Sequence, residues 1–340
     1  MTTTISVAGL FLALFLLVYL AFKGHSVIII APIVAMVAVI FSAGFDSHLM
    51  ANYTEVYMTG FANYARNYFP LYLFGAVFAK LMEVSGYADA ISHLIASRLG
   101  KERAILAVVL CCAVLTYGGV SLFVVTFVVL PIAISLFRAA DIPKRLIPGS
   151  IALGAFTFTM TALPGSPQVQ NTIPMTYFGT DAFAAPVLGI IAAIMMFSLG
   201  MIWLNYRAKK AKQAEEGYGD HDDEKKEISE SDLPGIIHPV IAFLLIVAVN
   251  LLCSKVIYPR LNTAYLEQYN TKISAVSGNW SVLIALLVAI IYLIITGLPR
   301  FKALKDSLKS AAGNSLMPLI NSCAVVGFGS VIKGLAIFAI

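Results

Sequence analysis

Six stretches of this chain are apolar over close to the ~20 residues that a helix needs to cross a hydrocarbon layer. They are 5–22, 26–43, 68–84, 183–205, 236–254 and 279–298, and a further run opens near 314 and is still apolar at Ile340. Lipid offers no partner to a backbone N–H or C=O, so runs of this kind must satisfy their own polar groups as helices. Composition agrees: 59% of the 340 residues are hydrophobic and 12% charged, against about 45–50% and about 25% in a soluble domain. The chain reads as an all-α polytopic membrane protein. Residues 5–22 lack a basic start and a small-residue cleavage site, which marks a retained first span rather than a signal peptide.

Two stretches do not fit a simple span. Residues 104–137 are apolar for more than thirty residues, interrupted only at Tyr117-Gly118-Gly119. That length suits two tightly joined spans or a re-entrant hairpin with the glycine pair at its tip. Residues 147–178 contain Thr161-Ala-Leu-Pro-Gly-Ser-Pro-Gln-Val-Gln-Asn-Thr-Ile-Pro174. Pro164, Gly165 and Pro167 stop a helix, because each proline removes a donor and clashes with the preceding turn. Unwound backbone at membrane depth survives only where protein buries it or where it lines a watery cavity. A broken helix flanked by side-chain amides is how membrane carriers build a substrate site.

Charge sets the orientation. The clusters Arg98/Lys101/Arg103, Lys144/Arg145, Arg207/Lys209/Lys210/Lys212 and Arg300/Lys302/Lys305/Lys309 belong on the cytoplasmic side. The N-terminus then lies outside, 44–67 is external, the hairpin begins and ends on the cytoplasmic side, and the broken helix crosses outward. The net charge of +5 thus reports topology, not nucleic-acid binding. Residues 206–235 are acidic and basic by turns and read as a solvated cytoplasmic linker. After it the pattern of span, loop, span, amphipathic segment, span restarts with opposite orientation. Phe74-Gly75-Ala76-Val77-Phe78 aligns with Phe328-Gly329-Ser330-Val331-Ile332. The expected organisation is an inverted repeat: residues 1–205 as the first copy, with hairpin 104–137 and broken helix 147–178, and residues 236–340 as an incomplete second copy. A matched second copy implies a chain longer by roughly 120 residues, and a truncated, non-transporting remnant is the reading if none follows.

These residues resemble a known family. Tyr117-Gly118-Gly119-Val120-Ser121-Leu122-Phe123, running into Phe127-Val128-Val129-Leu130-Pro131-Ile132, together with Leu163-Pro164-Gly165-Ser166-Pro167, is similar to the gluconate permease family of the ion transporter superfamily. The resemblance implies symport of gluconate or hydroxybutyrate-like hydroxy acids with H+ across the bacterial inner membrane, and it allows a homodimer. It also implies that hairpin tip and broken helix form half of the site. Where the gluconate branch carries an acidic residue near the tip and a His in the break, this chain has Val124-Val125 and Ser166-Pro167-Gln168. The resemblance therefore extends to a small carboxylate in general.

The candidate substrate residues are Gly118, Gly119, Ser121, Thr126, Gly165, Ser166, Gln168, Gln170 and Asn171. The glycines allow close backbone approach. The hydroxyls and amides donate to carboxylate or hydroxyl oxygens, and helix N-termini add unpaired N–H groups with a partial positive charge. The plainer alternative is that the breaks serve packing and that hydroxyls bond back to their own helix, which is the preferred reading for Thr157 and Thr159. Glu83 is a candidate for ion coupling, although Lys80 one turn away suits it as an ion-pair partner. No metal or cofactor is expected. Cys111, Cys112, Cys253 and Cys323 have no ligand spacing and read as small buried hydrophobes, and His221 alone among acids is a weak ligand set. The chain carries no His-Glu-x-x-His, no paired intramembrane aspartates and no Gly-x-Ser-x-Gly elbow, so a membrane enzyme is disfavoured. A Na+-coupled carboxylate carrier remains the competing transporter reading.

Overall fold

The computed structural model describes residues 3–44, 48–120, 122–221, 233–301 and 303–335, and every regular element among them is helical. Helices α1 (Thr3–Phe22) and α2 (Val27–Ala43) open the chain. The short α3 (Leu49–Ala51) passes through a π-helical turn at Asn52–Tyr57 into α4 (Met58–Val84), and α5 (Tyr87–Leu99) follows at a bend of 65°. Helices α6 (Ala104–Tyr117) and α7 (Leu122–Ala139) form the expected hairpin. The expected broken helix is three pieces, α8 (Ile147–Ala155), α9 (Phe158–Thr161) and α10 (Val169–Phe178). Then come α11 (Pro186–Gln213), α12 (Ile237–Leu252), α13 (Ile273–Gly297) and α14 (Leu304–Gly334). Among the described residues five helices are long and apolar enough to cross a membrane, or six if the bent pair is one span.

Helix extends into the segments 44–67 and 299–313. Most of each is helix leading without interruption into α4 or α14. Hydropathy ends where polar side chains begin, but the backbone ladder continues through them, and neither Pro70 nor Pro318 stops its helix.

The chain divides into two compact units. One comprises Met1–Leu73 with Gly313–Ile340, the other Phe74–Ala312. In the first unit, α2 presents Ala31, Val34, Ala35, Ala38 and Val39 to a core shared with Ala13, Tyr57, Ala324 and Phe328. Small residues of this kind let helices approach closely where lipid supplies no hydrophobic drive. The buried Tyr57 hydroxyl donates to Ala324 O at 3.1 Å, and Tyr72 and Ser322 share a hydroxyl bond at 2.8 Å. The start and end of the chain are thereby joined.

In the second unit α6 lies against α5, α7 and α8, while α12 and α13 pack along each other and α10 against α13. Both hairpin arms are short: 14 residues in α6 and 18 in α7 give about 21 and 27 Å at ~1.5 Å per residue, below the ~30 Å of the hydrocarbon. All four cysteines are buried, as small hydrophobes should be.

Candidate functional site

The second unit brings the hairpin tip and the helix break together. Gly118–Val120 close α6, with Gly119 at φ +94°, a conformation that L side chains rarely adopt. A Cβ on Gly119 would lie 3.2 Å from Pro167 Cγ, with Ile246 and Leu286 just beyond. The tip therefore touches the break on one side and the α12–α13 pair on the other. Phe243 of α12 occupies the space that a side chain at Gly118 would need. Gly165, at φ +82°, turns the chain between α9 and α10 beneath the Phe183 ring.

Breaking a helix frees backbone groups that cannot be left bare in lipid. Most of the polar side chains singled out in the sequence are spent on them. Tyr117 donates its hydroxyl to Pro164 O at 2.9 Å, and the fully buried Ser166 donates to Thr159 O at 2.8 Å. Asn171 donates to Ser166 O at 2.9 Å and Ala182 O at 3.3 Å, and the Gly165 N–H reaches the same Ala182 O at 2.7 Å. Gln168 crosses to the hairpin and donates to Thr116 O at 2.7 Å and Val120 O at 3.3 Å. Thr157, Thr159 and Thr161 bond back to Leu153, Gly154 and Thr157 carbonyls, as the plainer reading had it for the first two.

The Gln168 bridge has an electrostatic consequence. Gln168 is the N-cap residue of α10, and Val120 lies two residues before the start of α7. Gln168 thus ties the start of α10 to the hairpin tip, where α6 ends and α7 begins. The start of α10 carries roughly half a positive charge and first-turn N–H groups with no intrahelical acceptor, and the end of α6 the opposite partial charge. Because the Gln168 side chain is turned to the hairpin, it makes no cap bond to α10.

The remaining candidates fall elsewhere. Ser121 lies outside the described residues. Gln170 is exposed on α10. Glu83 pairs with Lys80 at 2.9 Å on α4 and takes no part in the contacts that join hairpin and break. Thr126 lines a cavity of about 860 Å³ with Leu130, Ile151, Phe156, Arg145 and Tyr218.

That cavity depends on a segment read from the sequence as solvated linker. Helix α11 carries the first part of it, and residues 214–221 then fold against α7 and its exit. Arg145 grips Glu216 with two bonds of 2.6 Å, and Asp141 Oδ1 accepts the Tyr218 N–H at 2.8 Å. Arg138 lies over the Tyr218 ring, 5.2 Å from its centroid. The hydrogen bond from Arg145 holds the Glu216 carboxyl below the ordinary glutamate range and raises Arg145 in turn. Composition hid this strap because a charged stretch looks alike whether or not its charges find partners. Asp181 was also missed. It accepts the Phe183 N–H at 2.9 Å and pairs with Lys255 at 2.7 Å, tying the exit of the break to the end of α12. Its signal was present, as a lone acid in the apolar stretch 147–205.

The family model described as GntP family permease matches residues 1–337. An uncharacterized transporter of Bacillus subtilis (strain 168), YxjC, is 42% identical over 341 residues, covering 95% of this chain and 72% of the relative. An uncharacterized transporter of Haemophilus influenzae is 26% identical over 252 residues, covering 72% of this chain and 56% of its own length. A high-affinity gluconate transporter of Escherichia coli (strain K12) is 30% identical over 186 residues, covering 54% of this chain and 39% of its own length. No solved structure matches.

Proposed function

The chain belongs to the GntP permease family, and on that premise we propose that it carries a small organic anion, a hydroxy acid of the gluconate or hydroxybutyrate kind, together with H+. The observation that carries this reading is the Gln168 bridge, which holds the N-terminus of α10 at the hairpin tip. A helix N-terminus in a medium of low polarity favours an anion, and its backbone N–H groups bind a carboxylate without the desolvation cost of a buried cation. The membrane is the bacterial inner membrane, with the N-terminus outside and residues 206–235 inside, following the basic clusters.

The same bonds support coupling to H+ rather than Na+. A Na+ site at a helix break needs carbonyl oxygens. Here Thr116, Val120, Pro164, Ser166 and Ala182 carbonyls already accept from Gln168, Tyr117, Asn171 and Gly165. Uptake of labelled gluconate and 3-hydroxybutyrate into proteoliposomes tests both parts. An inward proton gradient should drive accumulation, and a protonophore should abolish it. Accumulation that requires a Na+ gradient and ignores the protonophore refutes H+ coupling. Absence of uptake of any carboxylate refutes the anion reading.

A further inference from the structure

Asn250 is fully buried near the end of α12, and neither its amide nitrogen nor its amide oxygen has a hydrogen-bond partner. An amide desolvated without compensation costs several kcal/mol, and lipid cannot reach a side chain with no exposed surface. Its place in the fold is fixed by two neighbours on the same helix. Phe243 packs on Gly118 and Ile246 packs on Gly119. At ~100° per residue Asn250 falls on the stripe between them, about 6 Å further along the axis than Ile246. Gln168 ties the start of α10 to the tip, and Met175 meets Gly278 of α13, eight residues before the Leu286 that touches Gly119. By these rises Asn250 lies beyond the hairpin tip, at a height between those of Gln168 and Met175.

We propose that Asn250 is a substrate-selecting residue that receives a hydroxyl of the substrate while the α10 N-terminus takes the carboxylate. The chemistry of the orphaned amide selects the group. A carboxylate accepts but cannot donate, so it satisfies only the nitrogen. A hydroxyl donates to Oδ1 and accepts from Nδ2, and satisfies both. A site built to bond a hydroxyl rejects the analogue without one, because its polar atoms are then left unpaired. The inference rests on the organic-anion reading above and adds to it the residue that distinguishes a hydroxy acid from its deoxy counterpart.

The test compares 3-hydroxybutyrate with butyrate on the purified protein, by thermal unfolding and by binding. The wild type should bind 3-hydroxybutyrate at least about tenfold more tightly than butyrate. Asn250→Leu should bind the two equally. Its unfolding temperature without ligand should equal or exceed that of the wild type, since replacing an unpartnered amide by an apolar group of similar size removes a penalty. Asn250→Ser, which keeps a donor and an acceptor, should retain part of the preference and covers the case in which the leucine variant does not fold. A fall of several degrees in the ligand-free unfolding temperature of Asn250→Leu overturns the proposal, because the amide is then already paired. A leucine variant that keeps the hydroxyl preference overturns it as well. A wild type that binds both acids equally refutes this inference alone, whereas a wild type that binds no carboxylate refutes the anion reading on which it stands.

Discussion

Gln168→Leu separates two roles that look identical in the sequence. If the amide were a free donor to substrate, its loss would abolish binding and leave basal stability untouched. The two bonds to the hairpin make a different demand. One is short at 2.7 Å and the other long at 3.3 Å. A net contribution of about 1 kcal/mol for the first and less for the second gives about 1–2 kcal/mol. For Thr116 O the larger cost of an orphaned carbonyl does not apply, because it also accepts the Gly119 N–H at 3.0 Å. Leucine fills nearly the same volume, so no cavity term is added. Thermal unfolding of the purified variant should fall by a few degrees, scaled from about 2–4 °C per kcal/mol in domains of 150–250 residues. Carboxylate affinity should fall further, by tenfold or more, because the bridge holds two helix ends in place rather than contributing one bond. Gln168→Asn, polar but one methylene short, should behave like the leucine variant. Unchanged basal unfolding with abolished binding refutes the bridge and returns Gln168 to the role of direct ligand.

Gly119→Ala should destabilise by about 1–3 kcal/mol, from the φ of +94° and the crowding of Pro167. Gly75→Ala, a helical glycine with open space where the methyl would go, should be neutral or stabilising by up to about 1 kcal/mol in the same unfolding assay. Arg145→Glu should release the 214–221 strap, seen as faster proteolysis there, and Arg145→Glu with Glu216→Arg should restore protection. Because the folded-state pKa of Glu216 is depressed, its contribution is present above the ordinary glutamate value of about 4.3. It is lost as pH falls through the lower folded value, so protection of the strap should fade only in that acidic window. Lys255→Met removes an exposed partner of Asp181 and should lower stability by no more than about 1 kcal/mol.

Much of the fold was legible because membrane crossing imposes one rule on every span. Apolar length alone located α1, α2, α11, α12 and α13. The Gly118-Gly119 turn and the Pro164–Pro167 break were legible for a related reason, since few side chains tolerate those backbone shapes in a helix. The pairing of hairpin and break as half of a site was expected only through family resemblance, and in the structure Gly119 lies against Pro167. What the sequence could not decide is where each donor points. Gln168, Asn171 and Ser166 are polar residues at a break whether they face a ligand or a carbonyl, and they turned out to hold carbonyls. Asn250 drew no attention as one amide in an apolar helix, and its importance lies in having no partner, which only packing reveals. The sequence by itself thus determined the solvent, the helices and the places where they must break. Tertiary structure alone decided which polar groups are consumed in closing those breaks and which are left over, because hydrogen-bond satisfaction is a property of neighbours and not of residue type.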